Sequence, residues 1–160
     1  MMDPVRTAPP DAVARTVPEW FEDYSLGLTM TSPSRVVTDD DVRAYVRFSN
    51  DVRPLLGQTE PGSLTVPRHY LFCLGVGLLL HAGGGYIPTQ FVAFSGFDTI
   101  EFHRAARGAD VVRSSATVTG LIPRRSTGLV VYRHETSLVS GELLVSSVQR
   151  ILVRRRSADA

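Results

Sequence analysis

The stretch that settles the architecture is "RHYLFCLGVGLLLHAGGG", Arg68 to Gly85. From Tyr70 to Leu80 it is apolar at nearly every position. A helix that is apolar all round belongs in an interior. The run is about eleven residues, where a bilayer span needs about 20, so it reads as a core helix. The three glycines Gly83 to Gly85 supply its stop. Gly75 and Gly77 cost helix propensity, and imply the close approach of another backbone, a sheet or a substrate. Cys73, inside the run, is expected to be buried and inert.

Downstream the pattern changes to strand. "FVAFSGFDTIEF", "DVVRSSATVTGLIP", "GLVVYRHETSLV" and "ELLVSSVQRILVRRR" are rich in β-branched residues with period-two stretches. The turns between them are "RAARGAD", "RRST" and "SG". One apolar helix and one long antiparallel sheet predict a sheet wrapped around the helix, an α+β domain. Such a sheet leaves an edge or an outer face for a second copy. His103 and His134 alternate with apolar residues in these strands and are expected to face solvent or a subunit interface.

Upstream, "VVTDDDVRAYVRFSN" is an amphipathic helix. Thr38 is the expected N-cap, and Asp39, Asp40 and Asp41 fill the first turn, where the helix dipole favours negative charge. Val42, Tyr45, Val46 and Ser49 recur at helical spacing. The acids therefore have a structural explanation. Residues 50–67, "NDVRPLLGQTEPGSLTVP", are turn-rich and form a loop that overlies some other part of the fold. Residues 1–18 are Pro- and Ala-rich and read as a flexible arm. Residues 19–156 form one domain, and 157–160 a tail.

The totals narrow the function classes. The chain has 160 residues and a net charge of +1, which argues against nucleic-acid binding. All 17 basic residues are arginine, so no lysine is available for a Schiff base. The single cysteine excludes an internal disulfide framework, in keeping with a cytoplasmic protein. No pair of histidines has metal-ligand spacing. The first twenty residues lack the apolar core of a signal peptide, and no membrane span is expected. No cofactor or metal is implied.

With these elements in place, the chain resembles the MaoC-like hotdog family of (R)-specific enoyl-thioester hydratases and 3-hydroxyacyl-thioester dehydratases. "WFEDYSLGLTMTSPSRVVTDDDVRAYVRFSND" is similar to the family's opening, FEDL-x-x-G followed by R-x-V-T-x-x-D. "VAFSGFDTIEFHRAARGADVVRSSATVT" is similar to its strand G-x-D-x-V-R-F-x-x-P-V-x-x-G-D, with Asp98, Gly108 and Asp110 at matching places. The resemblance covers residues 20 to 155. It implies a hotdog fold, an acyl thioester of coenzyme A or a carrier protein as substrate, and pairing as a homodimer or with a paralogous hotdog subunit.

The family's chemical signature, G-D-x-N-P-[LIV]-H-x-[DS], reads here "NDVRPLLGQ". Asp51 and Pro54 match. Asn50 replaces the glycine, Arg53 the asparagine, Leu56 the histidine and Gln58 the final acid or serine. Adding or removing water across a double bond needs a positioned acid and base, worth typically 10²–10⁴-fold, and leucine transfers no proton. Three readings follow from the resemblance. In the first, the chain is the subunit of a heteromeric dehydratase that shapes the acyl tunnel, with Leu55 and Leu56 on its wall. In the second, the site is rewired: Asp51 works with His69 or Arg53. Arg68 then stands in the place of the family's helix-start histidine, and Tyr70 and Gly75 contact substrate. In the third, the chain is a non-catalytic acyl-thioester binding module.

Overall fold

The computed structural model describes residues 18–56, 60–81 and 88–156. The expected arm, the Gly83–Gly85 stop, Gln58 and the tail lie outside the described residues, save for Pro18. Two helices and six strands make up the fold: β1 (Thr29–Thr31), β2 (Arg35–Val36), α1 (Asp39–Ser49), α2 (Arg68–Leu79), β3 (Phe91–Phe102), β4 (Val111–Pro123), β5 (Thr127–Leu138) and β6 (Leu143–Arg154). All strand pairings are antiparallel. The sheet order is β1-β4-β5-β6-β3, with β2 also on β4. The four long strands fall where the period-two pattern places them. β1 and β2 are two or three residues long, too short for a periodicity to show.

α1 starts as its sequence dictates. The Thr38 side chain accepts from the Asp41 N–H at 3.1 Å, and the Asp41 carboxylate accepts from the Thr38 N–H at 2.9 Å. This reciprocal cap satisfies two otherwise orphaned donors. Val42 and Val46 point into the core, and Tyr45 lays its ring 5.5 Å from that of Tyr70, docking α1 on α2.

α2 lies in the concave face of the sheet. Leu71, Leu74, Gly75 and Leu78 form its buried stripe. The opposite stripe is open: Cys73 is exposed, as is Leu80, and Phe72 and Val76 are half-buried. This corrects the expectation for Cys73, and for a helix covered on every side. One sheet covers only one face of a helix, and the apolar remainder is left bare in the single chain. Of the alternatives for Gly75, the close approach is to the sheet. A Cβ there would lie 2.0 Å from Thr136 Oγ1 and 3.1 Å from the His134 ring.

The core has two apolar clusters. One gathers Val37, Val42, Val66, Leu71, Leu74 and Leu144 around the first half of α2. The other gathers Phe21, Tyr24, Val118, Val130, Tyr132 and Val153. Phe21 and Tyr24 come from a short 3-10 turn, Phe21–Asp23, which closes that end. The Phe21 ring fits over Gly128, where any Cβ would meet it at 2.0 Å. The turn is tied to the end of β6 by Arg155 on Glu22 at 2.8 Å and Arg156 on Asp23 at 2.7 Å. No helix among the described residues is long and apolar enough to cross a membrane.

Candidate functional site: an acid–base end and an apolar cavity

Two places along α2 have the makings of a site. At its N-terminus, Asn50 takes a left-handed conformation (φ 58°) that ends α1 and turns the chain into the Asp51 loop. Pro54 is buried within a 3-10 turn, Arg53–Leu55, and anchors it. Both Asp51 carboxylate oxygens are taken by Arg53, whose Nε and a terminal nitrogen donate at 2.7 and 2.6 Å. These hydrogen bonds, with a smaller Coulombic pull from His69, hold the Asp51 carboxyl below its usual range. The Arg53 side chain is 80% exposed and that of Asp51 23%. Leu55 and Leu56 both lie exposed, Leu56 at 66%.

His69 and Arg68 open α2 and are exposed. The His69 ring packs edge-on against Phe102 at 6.0 Å, and the Arg68 guanidinium sits 5.9 Å from the centre of the same ring. Tyr70 is half-buried against Tyr45. The structure thus gathers Asp51, Arg53 and His69 at one end. It places Gly75 a turn and a half further along, facing the sheet. In an α-helix the N–H groups of the first turn have no intrahelical partner. Pro67 at the N-cap offers no side-chain acceptor. Those donors are the part of this end suited to a developing oxyanion.

The second place is a cavity of about 330 Å³ beside the last turns of α2. That is within the size range of small-molecule sites. Val76, Leu79, Phe91, Phe94, Val130 and Ile151 supply much of its apolar wall, with Tyr24 and Tyr132. Neither Asp51 nor His69 lines it. At 1.5 Å per residue, the helix carries the chain about 15 Å from His69 to Leu79.

Between the two ends runs a buried polar chain. Tyr132 donates to Gln149 Oε1 at 2.9 Å. The Gln149 amide nitrogen donates to His134 Nδ1 at 2.9 Å and to Ser147 Oγ at 2.8 Å. His134 Nε2 meets Thr136 Oγ1 at 3.2 Å and the Gly75 backbone, and Thr136 meets Ser114 at 3.0 Å. Gln149, His134, Thr136 and Ser114 are wholly buried. Burial presses the His134 pKa down to about 4, so the ring is neutral. His134 therefore departs from its expected place at solvent or an interface. The even positions of β5 face inward, and the alternation put His134 on that face. His103 stays partly exposed, on Ser146 Oγ at 2.9 Å.

No protein-family model matches the sequence, and no curated protein does. Solved structures do. A monoamine oxidase regulatory protein from Archaeoglobus fulgidus superposes with a TM-score of 0.76 at 22% identity, over 87% of this chain and 96% of that one. A MaoC-like dehydratase from Rhodospirillum rubrum gives 0.72 at 19%, over 86% and 97%. A Mycobacterium tuberculosis protein described as a double hotdog gives 0.67 at 19%, over 88% of this chain and 46% of that one. The fold is a hotdog. In this hotdog, the sequence motif singled out the Asp51 loop at the N-terminus of α2 as a candidate site. It missed Tyr24, Tyr132 and the His134 network. For Tyr132 and the His134 network the one signal was polar residues at inward-facing strand positions, which identity alone does not separate from outward ones; Tyr24, just after the 3-10 turn, had none.

Proposed function

We propose that this chain holds the acyl group of a coenzyme A or carrier-protein thioester as one half of a hydratase or dehydratase pair, with the working acid–base dyad on a paralogous hotdog partner. The observation that carries the reading is the contrast between the two ends of α2. The cavity has a continuous apolar wall, while Asp51 has both oxygens engaged by Arg53 and an exposed leucine where the motif's histidine would be. An apolar wall of this size suits an acyl chain.

The partner reading has its own support. Among the described residues β3, twelve residues long, is an edge strand paired on one side only, and Phe91, Val92, Phe94, Phe97 and Ile100 stand between 36% and 44% exposed along it. The bare stripe of α2 adjoins it through Phe72, whose ring lies 5.1 Å from Phe97. A long apolar edge in water invites strand pairing. In the double-hotdog structure this fold accounts for under half of one chain, so two such units in one molecule have a precedent.

The test is calorimetric titration of the purified chain with a saturated medium-chain acyl thioester, beside Val76→Trp, which fills the cavity. Binding by the wild type that Val76→Trp abolishes supports the proposal. Binding indifferent to Val76→Trp, or none, refutes it. A second reading, a rewired site using Asp51 and His69, is favoured by their electrostatic contact. It requires turnover by the chain alone.

A further inference from the structure

We infer that the cavity selects an acyl body that carries a hydroxyl group along its length, rather than a plain saturated chain, and that Tyr24 and Tyr132 read that group. The inference rests on the acyl-binding reading above and names the substrate class within it.

The wall explains why. Of the cavity's lining among the described residues, Tyr24 and Tyr132 alone carry a polar side chain. Tyr132 has a structural partner in Gln149, but a buried Tyr24 hydroxyl without one is destabilising, and an alkane would leave it so. The two belong to one cluster, and each phenol is buried. They are near enough that Tyr24 adds to the upward shift which burial gives Tyr132.

Their hydrogen-bonding states differ, and the difference is forced. The Gln149 amide nitrogen is committed to His134 Nδ1 and Ser147 Oγ, so its oxygen faces Tyr132 and must accept. The Tyr132 proton is therefore used, and its oxygen is left as an acceptor. Tyr24 is 6% exposed. Its hydroxyl has no hydrogen-bond partner among the described residues, and it is not among the fully sealed unpaired atoms. It keeps a proton to give. In this inference both phenol oxygens face the lumen, so that the wall offers one donor and one acceptor. A hydroxyl on the ligand can use both, accepting from Tyr24 and donating to Tyr132. A ketone can use only Tyr24. A methylene uses neither and leaves Tyr24 dry and unpaired.

The experiment measures binding of medium-chain acyl N-acetylcysteamine thioesters to the wild-type chain. The ligands are unsubstituted, or carry a single hydroxyl or a single ketone placed in turn at each carbon beyond the reacting end. One net hydrogen bond is worth about a twofold to tenfold change in affinity. At one position along the chain, the hydroxyl ligand should bind about tenfold tighter than the unsubstituted one, with the ketone between them. Tyr24→Phe should weaken both oxygenated ligands. Tyr132→Phe should weaken the hydroxyl ligand alone. Cooperative thermal unfolding of both variants, like that of the wild type, reports that the fold around the cavity is intact. Equal binding of all three ligands, unchanged in both variants, overturns this inference and leaves acyl binding standing. Failure of every ligand to bind overturns the acyl reading and this inference with it.

Discussion

Asp51 is one carboxylate whose neighbours decide its chemistry. Arg53 donates to both its oxygens and holds it ionised. Removing the guanidinium in Arg53→Ala should raise the Asp51 pKa toward its ordinary value, as read by NMR titration of the side-chain carboxyl; no change would mean the pair does not form in solution. The motif in the sequence located Asp51 and showed the leucine at position 56. Arg53 was legible there too, as a cation beside Asp51 that lowers its pKa and holds it charged; that it clasps both oxygens was not, because a two-residue separation permits many turns and the one adopted depends on buried Pro54. At the other end of α2, Tyr24 and Tyr132 respond to the same change in opposite ways. Tyr24→Phe removes a hydroxyl with no partner in the described structure and should leave the melting temperature unchanged or slightly higher. Tyr132→Phe strips the buried Gln149 oxygen of its donor, which costs about 1–3 kcal/mol. Denaturant midpoints of the two variants test the pair, and equal losses would contradict the network.

Among the elements, α2 offers two glycines with opposite expectations. A methyl at Gly75 would strike Thr136 Oγ1, while Gly77 has nothing within 4 Å of a would-be Cβ. Gly75→Ala should destabilise by about 1–3 kcal/mol through overpacking. Gly77→Ala should gain up to about 1 kcal/mol of helix propensity. Urea unfolding separates them, and a stabilising Gly75→Ala would mean that the helix does not lie so close to the sheet. β3 carries the expectation for assembly. Phe97→Lys places a charge in the middle of the apolar edge and should shift the chain toward monomer in sedimentation; an unchanged mass distribution would move the interface elsewhere. The long strands were legible through β-branched residues and period-two stretches, clearest in β4 and β5, while β3, broken by three register shifts, alternates least. α2 was legible as a core helix, yet half its surface is bare, since a hydrophobic run records that a face will be covered and not which molecule covers it.

At the scale of the whole molecule, a polar layer runs between two apolar clusters, with His134 in it. Its titration gives the fold a pH dependence. The folded-state pKa is about 4, against 6.5 for the free side chain. Below 6.5 the unfolded chain takes up a proton that the folded one refuses. Stability therefore falls as pH drops from 6.5, and the loss levels off near 4, at roughly 3 kcal/mol in all. His134→Gln should flatten chemical-denaturation stability across that window; a slope like that of the wild type would place the titrating group elsewhere. The fold's outline, a sheet around one helix, followed from patterning. The contents of its inner face did not, because alternation orients a residue without telling whether polar neighbours on the next strand will satisfy it. On our proposal this hotdog holds an acyl chain in its cavity without a working acid–base dyad of its own. The most direct measurement is hydration of 2-enoyl thioesters by the purified chain alone, beside Leu56→His and Asp51→Asn. The account predicts an inert wild type and a gain of activity in Leu56→His. An active wild type silenced by Asp51→Asn would contradict it.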